Sequence, residues 1–188
     1  MVQISDRGSV PDDELIRRIE SAGPRLAVQL RDPALAARAL LSLGRRLREA
    51  TRAVGARLWV NDRLDLALRL EADGVHLGRA SVAVADARRL LGDAIVVTRS
   101  AHGVDEAVAA ADAGVDAVLL SPIFPSPGKP TPLGLAPLTE ARRRLPPHVA
   151  LYALGGVDRA SCSRCLEAGA DGVAAIRADL TAVFPPIA

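Results

Sequence analysis

The sequence predicts an α/β protein, a compact (β/α)8 TIM barrel with a shortened final helix, and three observations predict it. Eight short apolar runs alternate with helical stretches, and no linker interrupts them. Most of the runs are apolar on both sides, as parallel strands covered by helices are. One joint also recurs: Ala72-Asp73-Gly74-Val75, Gly114-Val115-Asp116-Ala117-Val118 and Gly169-Ala170-Asp171-Gly172-Val173 each lead from a helix end into a strand. The Asp-to-Asp spacings of 43 and 55 residues are each about two βα units. The 188 residues form one domain over 1–188, slightly short for such a barrel.

The strands are expected at 2–5, 26–30, 56–60, 74–77, 95–98, 117–120, 149–154 and 172–176. Ile95, Val96, Val97 and Thr98 give the fifth the β-branched clustering of a parallel strand. Helical patterns fill 12–21, 33–54, 62–71, 82–91, 104–113, 136–145 and 158–168. Ala36, Leu40, Leu43 and Leu47 give the longest helix its apolar stripe. Several helices open at Asp or Pro and stop at Gly, as capping predicts. After Ile176 twelve residues remain, and Pro185-Pro186 stops an eighth helix early. A doubly wound open sheet is the runner-up, but the first turn lacks G-x-G-x-x-G.

Composition excludes several function classes. The net charge is +2, the basic residues are scattered, and aromatics make up 2%. Nucleic-acid binding by a basic stripe or by stacking is not expected. No apolar stretch is long enough to span a membrane, and no basic-then-apolar segment opens the chain. A cytoplasmic location is therefore expected. Cys162 and Cys165 form a C-x-x-C, but no second pair or nearby His completes a zinc set. They read as two reduced thiols on a helix.

In a barrel the chemistry belongs to the loops after the strand C-termini. The scarcest polar residues fall there. Lys129 is the one lysine among 24 basic residues, Asn61 the one asparagine, and Gln29 one of two glutamines. His76 and His102 are two of three histidines. Lys is a compact charge suited to phosphate, whereas Arg offers a planar fork. Asp62, beside Asn61, either belongs to this site or simply caps the helix that follows it. Gln29 and Arg31 either serve a ligand or pair with each other inside the barrel. His76 reads as a satisfied core histidine. His102, close to Ser100 and Gly103, is the best general acid or base on composition.

Gly155 and Gly156 close strand 7, and residues 172–178, with Ala175 and Ile176, end strand 8. Loops 7 and 8 are where barrels hold a phosphate on backbone N–H groups. From Pro122 to Pro137 six prolines stiffen the loop after strand 6, which carries Ser126 and Lys129. That arm is either a partial lid over the mouth or a static surface loop.

The motifs Val28-Gln29-Leu30-Arg31, Val60-Asn61-Asp62-Arg63, Ala72-Asp73-Gly74-Val75-His76-Leu77-Gly78, Ser100-Ala101-His102 and Pro122-Ile123-Phe124-Pro125-Ser126 with Lys129 stand in one order. Leu154-Gly155-Gly156-Val157 and Ala168-Gly169-Ala170-Asp171-Gly172-Val173-Ala174 complete the series. On these the chain resembles the thiamine phosphate synthase/TenI superfamily over nearly its whole length. The resemblance implies a small phosphorylated thiazole ligand, its phosphate near Gly155, Gly156 and the end of strand 8. Barrels of this family often pair, which makes a homodimer an expectation of the resemblance.

The superfamily has two enzymatic branches. The synthase joins an aminopyrimidine pyrophosphate to the thiazole phosphate, releasing pyrophosphate with Mg2+. Its pattern has Gln, Arg and a Lys, which fall here at Gln29, Arg31 and Pro33. Its metal carboxylates fall at Asp62 and Ser81, so one cation and one acid are replaced. Mg2+ held with substrate phosphates takes one or two carboxylates. The TenI-like branch is a thiazole tautomerase that needs no metal and uses a His matched by His102 in Arg99-Ser100-Ala101-His102.

The replacements at Pro33 and Ser81 favour the TenI-like reading. In it His102 shuttles a proton, while Arg31 or Lys129 neutralises the substrate carboxylate and no cofactor is required. The synthase is the alternative, and a non-catalytic binder of phosphorylated ligands is a second one.

Overall fold

In the computed structural model, which describes residues 1–181, eight parallel strands close into a barrel in sequence order. They are β1 (Val2–Ile4), β2 (Ala27–Leu30), β3 (Arg57–Asn61), β4 (Gly74–Leu77), β5 (Val96–Ala101), β6 (Ala117–Leu120), β7 (Ala150–Leu154) and β8 (Gly172–Ala175). Seven α-helices lie among the described residues: α1 (Asp12–Ala22), α2 (Ala37–Val54), α3 (Leu64–Arg69), α4 (Val84–Leu91), α5 (Val104–Asp112), α6 (Ala136–Arg144) and α7 (Cys162–Glu167). The (β/α)8 expectation holds. The expected stop at Pro185-Pro186 lies outside the described residues. None of the described helices is long and apolar enough to cross a membrane.

Both faces of the sheet are buried, which explains the continuous apolar runs. Val2, Ile4, Ala27, Trp59, Leu119 and Ala174 pack inside the barrel. Their strand neighbours Val28, Leu58, Val60, Val75, Val97, Val118, Leu151 and Val173 join the larger core beneath the helices. Two aromatic rings fill the interior, Trp59 and Tyr152, edge to face at 6.2 Å between centroids. A Cβ at Gly74 would stand 2.6 Å from Trp59, and one at Gly172 2.7 Å from Tyr152. Those two strand starts must be glycine because a ring occupies the space.

The recurring joint has one structural meaning in all three copies. Asp73, Asp116 and Asp171 each accept a strand-start N–H on one carboxylate oxygen, from Leu58 (2.7 Å), Val97 (2.6 Å) and Leu151 (2.7 Å). The same oxygens each take an arginine from an even-numbered helix: Arg48 of α2 (2.8 Å), Arg88 of α4 (2.7 Å) and Arg142 of α6 (2.8 Å). The backbone N–H of each Asp returns a bond to the same strand start, at 2.8 Å each time. These charge-assisted clasps tie helix, strand start and neighbouring strand together at the amino-terminal end of the barrel. In this architecture that end serves stability.

Element boundaries depart from expectation where side chains offer the backbone another partner. α2 begins at Ala37 rather than 33, because Asp32 Oδ1 accepts the Ala34 N–H (3.1 Å) and holds a turn. α7 begins at Cys162 rather than 158, because Asp158 and Ser161 exchange hydrogen bonds at 2.9 Å. β5 runs on to Ala101, so Ser100 lies on a strand paired with Leu119 of β6.

Candidate active site

The carboxyl ends of β2 and β3 carry a relay of polar side chains. Gln29, 1% exposed, donates Nε2 to Asn61 Oδ1 at 2.9 Å. Asn61 Nδ2 donates to Asp62 Oδ2 at 2.6 Å. Asp62 has φ 58°, a left-handed conformation that Asp tolerates better than most residues. That conformation ends β3 with the carboxylate exposed at the mouth. There Ser81 donates its hydroxyl to Oδ1, and the Gly78 N–H reaches the same atom at 3.4 Å. Asp62 does not cap α3, whose N-cap is Arg63 with no side-chain bond. Gln29 and Arg31 do not pair, because Asn61 takes the amide while Arg31 is exposed. Gln29 Oε1 is buried without a protein partner.

His76 is buried beside this relay, with Nδ1 2.8 Å from Thr98 Oγ1 and Nε2 2.8 Å from Ser100 Oγ. Thr98 gives its own hydrogen to Val75 O at 3.3 Å. Its oxygen therefore accepts from Nδ1–H, which leaves Nε2 to accept from Ser100. Burial lowers the His76 pKa to about 4, so the ring is neutral. It is the satisfied core histidine the sequence indicated, and it orients Ser100.

His102 is exposed at the end of β5. Its Nδ1 lies 2.9 Å from Ser121 O, and because a carbonyl only accepts, Nδ1 carries the hydrogen. The backbone N–H of His102 is held by Glu106 Oε2 at 2.9 Å. Glu106 also binds Arg79, at 3.1 Å. Sequence reasoning passed over Glu106, and as one more acid in a helix it offered no signal.

The proline-rich arm is pinned at its base. Leu133 N–H bonds Pro122 O (2.8 Å), Gly134 N–H bonds Ile123 O (3.0 Å), and Phe124 N–H bonds Gly155 O (2.9 Å). Lys129 is exposed on the excursion between those ties, where its N–H turns back to Ser126 O at 3.1 Å. Gly155 and Gly156 have φ 95° and 63°. A Cβ on them would stand 2.7 Å from Pro122 Cα and 2.6 Å from Pro125 O. The glycine pair thus seats the β6 arm on the β7 loop, a reason the sequence did not reveal. Ala175 is buried at the end of β8, and Ile176 is half-buried just after it.

The buried thiols of Cys162 and Cys165 are free and lie away from this mouth, on α7. Burial raises the Cys165 pKa to about 11, which keeps it a thiol.

Among the described residues, no group of three or more His, Cys, Asp or Glu could hold a metal by itself. Asp62 with the Ser81 hydroxyl is a partial oxygen site of the kind Mg2+ uses when substrate phosphates complete its shell. The donor set fits that use.

Polar side chains gathered at the strand C-termini of a closed parallel barrel define a (β/α)8 barrel of the kind that works on small molecules. The chain belongs to the thiamine monophosphate synthase (TMP-TENI) family, whose model matches residues 1–178. It is 39% identical over 190 residues to the thiamine-phosphate synthase of Roseiflexus castenholzii, covering 98% of this chain and 82% of that one. It is 42% identical over 166 residues to the thiamine-phosphate synthase of Methanoculleus marisnigri, covering 87% and 78%. The solved thiamine phosphate pyrophosphorylase from Pyrococcus furiosus matches with a TM-score of 0.84 at 28% identity, covering 93% and 84%.

These likenesses overturn the TenI-like tautomerase reading in favour of the synthase alternative. That reading gave decisive weight to Pro33 and Ser81. In the structure the Ser81 hydroxyl stands on the Asp62 carboxylate, so an oxygen occupies the position where the family pattern has its second acid.

Proposed function

We propose that this protein is a thiamine-phosphate synthase, joining an aminopyrimidine pyrophosphate to a thiazole phosphate with release of pyrophosphate. The observation that carries the reading is the exposed Asp62 carboxylate, oriented by Asn61 and Gln29 and met by Ser81. The relatives named for this activity, at about 40% identity, support it.

Each residue then has a role. Asp62 and Ser81 Oγ would hold Mg2+ with the substrate phosphates, and the ion when bound supplies charge that offsets the departing pyrophosphate. Arg31 and Lys129, both exposed cations on loops at this end, neutralise the same polyanion. Gln29 Oε1, a buried acceptor without a partner, takes a hydrogen from the pyrimidine amine. Neutral His76 aims the Ser100 hydroxyl at itself, which leaves the Ser100 oxygen to accept from a ligand. His102, with Nδ1–H spent on Ser121 O, presents Nε2 as a hydrogen-bond acceptor or base at the mouth.

The loops with Gly155, Gly156, Ala175 and Ile176 bind the thiazole phosphate through backbone N–H groups. Ser126 stands on the arm with Lys129 and contacts the same pair of ligands. A homodimer and a cytoplasmic setting belong to this proposal as well.

The test supplies both substrates with magnesium and follows pyrophosphate release. Release that requires both substrates and stops on chelation supports the reading. Absence of release with both present would contradict it.

A further inference from the structure

Gln3 lies on β1 between inward-facing Val2 and Ile4, so its amide faces the helices, where it is 3% exposed. Its Nε2 donates to Ala175 O (3.2 Å) and Ile176 O (2.8 Å). Its Oε1 accepts from Arg18 Nη1 at 3.3 Å. The same nitrogen reaches Arg177 O (3.2 Å) and Ala178 O (3.3 Å). Glu14 steadies this guanidinium at Nε, 3.1 Å away. The amide fits one way round only, because the carbonyls need a donor and the guanidinium needs an acceptor.

Four successive carbonyls, 175 to 178, are thereby drawn toward β1 and α1. In a trans peptide unit the C=O and the following N–H point in opposite directions. The N–H groups of Ile176, Arg177, Ala178 and Asp179 therefore turn away from α1. Successive N–H groups facing one way form a concavity for an anion.

We propose that Gln3 and Arg18 are positioning residues that hold the loop after β8 as a cradle for the thiazole phosphate. They never touch the ligand. Gln3 is fully enclosed, so its hydrogen bonds are costly to lose, and it acts on the loop from behind. This rests on the phosphate site assigned under the proposed function. It also gives a purpose to the second of the chain's two glutamines.

The experiment compares Gln3→Leu, Arg18→Met and Arg18→Lys with the parent. Inorganic phosphate binding is measured by calorimetry, and KM and kcat are measured for each substrate. Gln3→Leu and Arg18→Met should raise the phosphate Kd and the KM for thiazole phosphate about tenfold. The KM for the pyrimidine pyrophosphate and kcat should stay within about twofold. Arg18→Lys, which keeps donors for the carbonyls, should recover part of the loss.

Variants that lose thermal stability but bind phosphate like the parent would overturn the proposal, as would an equal rise in both KM values. A parent that binds phosphate yet makes no thiamine phosphate would sink the synthase reading, while weaker phosphate binding by the variants would still support the cradle.

Discussion

Ser81 gives its hydroxyl hydrogen to Asp62 Oδ1, so the carboxylate at the end of β3 meets a neutral oxygen across the mouth. Asp62 is consequently the one acid of the pair, and in the proposed function a bound Mg2+ would gain less charge than two carboxylates would supply. Ser81→Asp should lower the magnesium concentration for half-maximal activity by about tenfold. Asp62→Asn should cut kcat/KM by about a hundredfold or more. A magnesium titration of the three proteins checks both outcomes.

The three Asp–Arg clasps predict stability effects remote from the chemistry. Arg88→Met leaves Asp116 with a half-buried carboxylate and one N–H donor. The loss should be about 1–3 kcal/mol. Arg142→Met should cost a similar amount through Asp171. Urea denaturation measures the losses, and the folded variants should keep the parent KM values.

His76 predicts a pH dependence of stability. Its folded pKa of about 4 lies below the ordinary 6.5. In the unfolded chain the ring gains a proton near pH 6.5, whereas in the folded chain it stays neutral until about pH 4. Its contribution is therefore full above pH 6.5 and is lost as the pH falls toward 4, by about 3 kcal/mol. His76→Gln should flatten that part of the curve relative to the parent. Denaturation midpoints between pH 7 and 4.5 provide the comparison.

Lys129 rides an arm seated on Gly156. Gly156→Ala would press a methyl against Pro125 O and lift the arm. The KM for the pyrimidine pyrophosphate should rise about tenfold, and Lys129→Ala should match it with a smaller change in kcat. Steady-state kinetics separates the two parameters. A fall in kcat alone for Lys129→Ala would make the lysine catalytic.

The alternation of apolar runs and helices made the barrel legible, and β4 and β6 match their expected limits residue for residue. Rarity marked Gln29, Asn61 and Lys129, because a residue type used once or twice is seldom there for bulk polarity. Side-chain partners were not legible. For Asp62 the sequence left a helix cap and a site role open, and only the structure, with φ 58° and the carboxylate meeting Ser81, removes the cap. Gly155 and Gly156 looked like a phosphate turn, but the backbone of another loop also occupies the space a Cβ would need. The branch of the family was not legible either. Pro33 and Ser81 point to the TenI-like branch, whereas relatives at about 40% identity carry the synthase name, and two positions do not outweigh the likeness of the whole chain.

The measurement that bears most directly on the whole account quantifies thiamine phosphate formed by the purified protein from the two substrates and magnesium. The account predicts one thiamine phosphate for each pyrophosphate released, abolished by chelation and by Asp62→Asn. Both substrates recovered unchanged, with the protein folded and magnesium present, would contradict it.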